Sequence, residues 1–214
     1  MDRMNLTTDQ INVLLYKKNH LINCSLAKKQ NLTPDQFDAL FYTNEGQTIS
    51  YLAQYQKLTD DQFNLILNKE KIFINASLAL NKNLKPEQID ILIKKFSFNN
   101  YTITENIASS QKLTEENFNK LYHSELSVEY SYRRGMKFAL SANQNLTPEQ
   151  IDMLLNSNDE SISFCNLASC KNLTLKQFNF ILNKNYNIYN ESLAKRDNLT
   201  TEQINLLLDR NSFR

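Results

Sequence analysis

Residues 31–41 read NLTPDQFDALF, and this stretch carries the signals that begin an α-helix. The Thr33 hydroxyl is suited to accept a hydrogen bond from a free backbone N–H of the first turn, which is the role of an N-cap. Gln36, three residues later, can return a bond to the N-cap N–H and complete a capping box. Pro34 falls at the first helical position, where its missing N–H costs no hydrogen bond. The stretch therefore predicts a helix that begins at Pro34.

The same phrase recurs eight times along the chain. Each copy has a Leu before the N-cap and an apolar residue five positions later, a pair that packs as a hydrophobic staple. The copies start near residues 5, 31, 57, 83, 112, 145, 172 and 198, and four of the seven intervals between their leucines are 26 residues long. Because a unit this short cannot bury a core alone, the repeats should stack on their neighbours.

Each copy continues with a second apolar segment. After the staple, apolar residues follow at helical spacing, as at Phe37, Leu40 and Phe41. A polar break comes next, and the second segment ends in a small-residue pair such as Leu26-Ala27 or Leu78-Ala79. We expect a first helix of about ten residues and then a shorter, partly 3₁₀ helix. The chain is thus predicted to be an all-α solenoid with a single domain over residues 1–214.

This pattern resembles the leucine-rich-repeat-variant and HEAT-like families of helical repeats. In those families a phrase like residues 145–151, NLTPEQI, opens a helix, and a Leu-Ala pair closes the short helix that follows. The resemblance covers nearly all of residues 5–209. It implies a right-handed α-solenoid of about eight two-helix repeats, each of about 26 residues, which binds partners along its length.

Composition narrows the function classes. The chain has 24 basic and 23 acidic side chains with 2 Gly and 3 Pro, which indicates a globular helical protein and not a polybasic arm or a Gly-rich phosphate-binding fold. Its three cysteines and two histidines lack metal-ligand spacing, so no metal, cofactor or disulfide framework is expected. No apolar run approaches the about 18 residues of a membrane span. A cytoplasmic, reducing location is therefore expected.

The longest interval between repeats, from Leu113 to Leu146, holds the best candidate for a binding site. Insertions in repeat proteins often belong to the binding face, and Arg and Tyr are enriched at binding hot spots. The expected partner-binding residues are Tyr122, Tyr130, Tyr132, Arg133, Arg134 and Lys137. The alternative is an ion-paired stripe on a lengthened helix, formed by residues spaced by four: Glu125, Glu129, Arg133 and Lys137.

A second variable set follows each small-residue pair, as in Leu80-Asn81 and Lys195-Arg196. These residues are expected to project from the turns between units. They form either a ridge that a partner recognises or a solvent-exposed edge whose residues vary freely.

The leading hypothesis is a non-enzymatic α-solenoid that binds another protein, with inhibition of that protein as one outcome. A composition rich in Asn, Lys and Ile suggests a phage or mobile-element protein that acts on a host factor. Two alternatives stay open. One is nucleic-acid binding along a basic groove at Arg133, Arg134 and Lys137. The other is capture of a small anionic nucleotide, with arginine on phosphate and Tyr130 or Tyr132 stacked on the base.

Overall fold

A computed structural model describes residues 6–29, 31–96, 100–124, 135–157 and 159–211. Over these residues the protein consists of fifteen α-helices without a strand, and 67% of it is helical, which confirms the all-α prediction. The helices are α1 Thr8–Tyr16, α2 His20–Lys29, α3 Pro34–Phe41, α4 Gly46–Tyr55, α5 Asp60–Leu67, α6 Ile72–Ala79, α7 Pro86–Phe96, α8 Tyr101–Ser110, α9 Glu115–Tyr122, α10 Met136–Ser141, α11 Pro148–Leu155, α12 Phe164–Ala168, α13 Leu175–Leu182, α14 Asn187–Ala194 and α15 Thr201–Asn211.

Contacts between helices divide the chain into two compact units, residues 1–94 and 95–214, with the boundary inside α7. In the first unit α2 packs on α4 and α4 on α6, while α1 packs on α3. In the second unit α8 packs on α10, α12 on α14, and α13 on both α11 and α15. Odd-numbered helices are called first helices below and even-numbered helices second helices. The second helices pack mainly on one another, whereas the first helices contact both first and second helices. The single domain stays a prediction.

The predicted capping chemistry begins most of the first helices. Six threonines accept from the backbone N–H of a Gln three residues later, and the Gln side chain accepts from the Thr N–H; they are Thr7, Thr33, Thr59, Thr147, Thr174 and Thr200. Lys85 replaces the Thr before α7, where Gln88 still accepts from the cap N–H at 3.0 Å. Lys85 instead directs its ammonium to Asp60 of α5 at 2.8 Å.

The capping Gln has a second role that the sequence analysis did not foresee. Its Nε2 donates to the preceding first helix: Gln36 reaches the Thr8 carbonyl at 3.1 Å and Asn12 Oδ1 at 2.8 Å. Gln177 reaches the Pro148 carbonyl at 2.7 Å and Asp152 Oδ1 at 2.8 Å. Glu would complete the capping box equally well. A Gln is suited to this position because the inter-helix bonds require a donor.

Four first helices end with a residue in the left-handed backbone region, always eleven residues after the N-cap. The residues are Lys18, Asn44, Glu70 and Asn185, with φ between 47° and 58°. Gly is the usual residue here because it has no Cβ to clash, and Asn tolerates the conformation better than Lys or Glu. The low Gly content therefore does not prevent this turn, although Lys18 and Glu70 adopt it at a steric cost.

The predicted shorter second helix is found in three pairs, α7/α8, α9/α10 and α11/α12, but not in the other four. The second helices α2 and α4 have ten residues each, against nine in α1 and eight in α3. All second helices are α-helices over the described residues, with no 3₁₀ element. The difference arises because the polar break itself enters the second helix: Glu45 is the N-cap of α4, and the helix begins at Gly46.

The small-residue pairs lie where second helices pack together. Both members are almost fully buried in most units, for example Leu52 and Ala53 at 0% exposure. In α14 Leu193 is buried but Ala194 is exposed. Ile204 of α15 is likewise 42% exposed, contrary to the expectation for the staple residue. Ala194 lies on the face where a further second helix would pack, and Ile204 lies on the face where a further first helix would pack. No such helix follows among the described residues.

Candidate functional site

Two of the six expected partner-binding residues are described, and they contact each other in the second unit. Tyr122 ends α9 and Lys137 lies in the first turn of α10. The Lys137 ammonium lies 4.8 Å from the centre of the Tyr122 ring and 3.3 Å from Asp159 Oδ2. The Tyr122 hydroxyl donates to the Met153 carbonyl at 3.3 Å. The pair thus ties α9 and α10 to α11 and to the segment that follows it.

Electrostatics strengthen this contact. The pKa of Asp159 is lowered, chiefly by hydrogen bonding from Ser161, whose N–H donates at 2.9 Å, and further by Lys137, although partial burial opposes the shift. Asp159 is therefore an anion at neutral pH. Lys137 contacts both the Asp159 carboxylate and the face of the Tyr122 ring. These contacts within the fold largely compensate its positive charge.

The other four expected residues, Tyr130, Tyr132, Arg133 and Arg134, lie outside the described residues. So do Glu125 and Glu129 of the alternative stripe. Among the described residues, the charged partner of Lys137 is Asp159, on a different segment from that stripe. Partner binding by the residues outside the description stays a prediction.

Two of the variable positions after the small-residue pairs, Asn81 and Arg196, do not project freely, which corrects the expectation for them. Asn81 Nδ2 donates to the Ala53 carbonyl at 2.6 Å and to the Gln56 carbonyl at 2.8 Å. Arg196 Nη1 likewise donates to the Ala168 carbonyl at 2.8 Å. These side chains supply donors to the last carbonyls of the preceding second helix, which have no partner within their own helix. Asn81 and Arg196 thus make the same kind of structural bond with different side chains.

A cavity with a volume of about 690 Å³ lies in the first unit. We call it the α1–α3 cavity. Tyr16 and Lys18 line it where α1 ends, Tyr42 lines it where α3 ends, and Asn23 and Glu45 complete its polar wall. Tyr16 is 90% exposed and Tyr42 is 70% exposed, so aromatic rings stand at the solvent side of the cavity.

Glu45 is the charged centre of that polar wall. Its Oε2 accepts from Thr48 Oγ1 at 2.9 Å and from Asn23 Nδ2 at 3.4 Å, and it lies 3.2 Å from His20 Nδ1. Burial raises the pKa of Glu45, but the hydrogen bonds from His20, Thr48 and Asn23 outweigh burial, so the pKa is lowered. The Glu45 side chain is therefore ionised at neutral pH, and the three contacts fix its position through Oε2. Its Oε1 takes no part in them.

A thiol and an imidazole lie beside the same carboxylate. Cys24 Sγ is 3.7 Å from Nε2 and 3.9 Å from Nδ1 of His20, and 3.5 Å from Thr48 Oγ1. A nucleophilic thiol needs its base in line for proton transfer. Since the sulfur is nearly equidistant from both ring nitrogens, it lies against the ring and not along a nitrogen lone pair. The Cys24–His20 contact is therefore packing in this geometry.

A cavity of about 390 Å³ occupies the corresponding place between α11 and α13 in the second unit. Phe164 and Phe180 line it, and the Lys184 ammonium lies 5.3 Å and 4.7 Å from the centres of their rings. Asp159 and Glu160 line its acidic side. In this second cavity the Lys184 side chain thus already contacts the faces of both aromatic rings.

Within the described residues, His, Cys, Asp and Glu side chains form no group of three or more that could hold a metal ion. Nor does the described part of the chain contain a helix with the length and apolar character needed to cross a membrane.

The cluster at Glu45 was not predicted from the sequence. One signal was available, because His20 and Cys24 are four residues apart and so share a helix face. Nothing local indicates that Glu45, more than twenty residues later, joins them. That contact depends on how the α2 and α4 helices pack.

Comparison with known proteins gives no identification. The chain matches no protein-family model, and it resembles neither a curated protein nor a solved structure. The resemblance to leucine-rich-repeat-variant and HEAT-like proteins therefore rests on the sequence phrases alone. The all-helical architecture, with many helices packed on their neighbours, is compatible with a helical-repeat fold.

Proposed function

We propose that the chain is a non-enzymatic helical-repeat protein that binds another protein. In this proposal the helix pairs form a right-handed α-solenoid of about eight repeats, of the leucine-rich-repeat-variant or HEAT-like kind. The repeated bonds from the capping Gln to the preceding first helix support this arrangement. In both units the Gln Nε2 donates to the same two positions of the preceding first helix. These are the carbonyl of the first helical residue and the side chain four residues later, as at Gln36 and Gln177.

The α1–α3 cavity is the binding site that we propose. The observation that carries it is the exposure of Tyr16 and Tyr42 at the edge of a large cavity. Val13, one turn before Tyr16 on the same helix face, is also 63% exposed. Exposed apolar groups around a concave surface mark interaction sites, and tyrosine is enriched where proteins bind proteins.

A protein ligand fits this cavity better than a phosphate ligand. Nucleic acids and nucleotides carry phosphates, which require a local excess of Lys and Arg. The wall of the cavity instead offers the partly exposed Glu45 carboxylate, which would repel phosphate. A nucleotide-capture or nucleic-acid role would need the residues at 130–134 and another surface.

Three further predictions accompany this proposal. Contact of a partner with Tyr130, Tyr132, Arg133 and Arg134 stays a prediction, as does inhibition of a host factor by a phage or mobile-element protein. A cytoplasmic location also stays a prediction.

Site-specific cross-linking tests the proposed site. The photo-cross-linking amino acid p-benzoylphenylalanine replaces Tyr16 in one variant and Tyr186 in a matched control, because Tyr186 is a 60% exposed tyrosine of the second unit. Each variant is irradiated in a lysate of cells that carry the gene. We expect discrete protein adducts from position 16 that position 186 does not give. Absence of adducts at position 16, or the same adducts at both positions, would refute the proposed site.

A further inference from the structure

We propose that the α1–α3 cavity recognises a basic side chain, a guanidinium or an ammonium group, on the partner. This inference rests on the protein-binding function proposed for the same cavity and names the chemistry of its ligand. It is carried by two acceptors in the wall, Glu45 and Asn23, combined with two exposed tyrosine rings at the edge.

The acceptors are held in place before a ligand arrives. His20, Asn23 and Thr48 fix the Glu45 carboxylate through Oε2. Asn23 is only 2% exposed, and its Oδ1 is closed to solvent and has no hydrogen-bond partner among the described residues. A buried acceptor without a donor is unfavourable, so a turn of the Asn23 side chain that brings Oδ1 to a cationic N–H donor on a ligand would relieve that cost.

Asn23 belongs to a repeated position with an added feature. Asn75 of α6 and Asn190 of α14 occupy the same place three residues before the Leu of the small-residue pair, and their Oδ1 atoms are also without a partner among the described residues. Asn23 additionally donates to the Glu45 carboxylate and lines the large cavity. The unpaired acceptor is therefore shared by three units, and the carboxylate beside Asn23 makes this copy selective for a cation.

The tyrosine rings add a second kind of attraction for a cation. Aromatic faces attract ammonium and guanidinium groups through their quadrupole. The same unit already uses this contact, since the Lys28 ammonium lies 5.5 Å and 5.4 Å from the ring centres of Tyr51 and Tyr55. Tyr16 and Tyr42 offer exposed rings of this kind beside the cavity.

Among the described residues that line the cavity, Lys18 is the one whose charge opposes a cation. It lines the cavity but is exposed, so water and salt screen its charge more than they screen the partly buried Glu45. Lys18 therefore provides a sharp test. Its neutralisation should strengthen binding of a cationic ligand and weaken binding of an anionic one.

The experiment titrates the full-length, ¹⁵N-labelled chain with two blocked peptides, N-acetyl-Gly-Arg-Gly-amide and N-acetyl-Gly-Glu-Gly-amide, and follows the Asn23 side-chain amide by NMR. We expect the Arg peptide to shift this resonance and the Glu peptide to leave it unchanged. Glu45→Gln should weaken the Arg peptide about tenfold, because a charge-assisted bond becomes a neutral one. Lys18→Gln should strengthen it.

Two further variants make these comparisons secure. Glu87→Gln is the matched control, because it removes the same charge from an exposed residue of the same unit that does not line the cavity, and it should leave the affinity unchanged. Tyr42→Leu tests the ring if Glu45→Gln disturbs folding, because Tyr42 is exposed and Leu keeps an apolar side chain there. We expect Tyr42→Leu to weaken the Arg peptide as well.

Binding of the Glu peptide that Lys18→Gln weakens would overturn the inference and identify an anion pocket. Failure of the Arg peptide to shift the Asn23 amide, or equal effects of Glu45→Gln and Glu87→Gln, would also overturn it. Cross-linking at position 16 separates the two proposals. Adducts without Arg-peptide binding would leave the protein-binding function standing and refute only the basic ligand, whereas loss of both would refute both.

Discussion

The second role of the capping Gln leads to a substitution that should be severe although it looks conservative. Gln177→Glu keeps the oxygen that accepts from the Thr174 N–H at 2.9 Å. It replaces the Nε2 donor with an oxygen, so an acceptor faces the Pro148 carbonyl at 2.7 Å and the Asp152 carboxylate at 2.8 Å. Gln177 is only 2% exposed, so water cannot readily replace the lost donor.

The magnitude follows from the two lost bonds. One was neutral and one was charge-assisted, and the change brings two carboxylates together at a buried position. We expect the free energy of unfolding to fall by about 3–5 kcal/mol at neutral pH. Acidic pH should recover part of this loss, because protonation of either carboxyl supplies an O–H donor between the two side chains.

Gln10→Glu is the matched control. Gln10 forms the same capping box with Thr7 but is exposed on α1, which has no preceding first helix among the described residues. Its cost should stay within about 0.5 kcal/mol. A second variant adds Asp152→Asn to Gln177→Glu, which exchanges donor and acceptor and should restore about 1–2 kcal/mol through coupling of the two sites.

Urea denaturation followed by far-ultraviolet circular dichroism provides the measurement, because the chain has no Trp. If Gln177→Glu costs no more than Gln10→Glu, the bonds between first helices contribute nothing to stability and our explanation of the repeated Gln is wrong. A double variant no more stable than Gln177→Glu would show that the loss does not come from the Asp152 contact.

Other predictions address packing, backbone, thiol chemistry and pH. Phe63→Ala, at a staple position with 1% exposure, should cost about 3–5 kcal/mol in urea denaturation, and a cost below that of a surface substitution would contradict its place in the core. Glu70→Gly should raise stability by about 0.5–1 kcal/mol in the same assay because it relieves the positive φ of 54°; a loss would show that the Glu side chain compensates the strain. Burial raises the pKa of Cys170 to about 11, so iodoacetamide at mildly alkaline pH should label the less buried Cys165 first, and mass spectrometry that finds Cys170 labelled first would contradict this. The pKa of Glu45 is lowered below its ordinary 4.5, so its contribution to stability is present above that pH and lost as the pH falls through the folded-state pKa. The stability difference between the wild type and Glu45→Gln should therefore shrink on acidification, and a constant difference would contradict the hydrogen-bonded carboxylate.

The sequence by itself determined the helical class and where most of the first helices begin. Thr33, Pro34 and Gln36 act within a single turn of backbone, so their effect depends on spacing and not on the surroundings. The 26-residue recurrence of that turn, and the burial of pairs such as Leu52-Ala53, were also readable because they repeat a local pattern. Helix lengths were not readable, since the polar residues before Gly46 can join a helix or precede it with equal local chemistry.

Tertiary structure alone decided which polar groups meet. Glu45 joins Asn23 across 22 residues, and Lys137 joins Asp159 across the same separation. The inter-helix bonds of Gln177 likewise reach residues more than twenty positions earlier. Local interactions span about one helical turn and can be recognised from residue spacing. Contacts between stacked helices depend instead on their relative position and rotation, which the packing of the buried apolar faces sets.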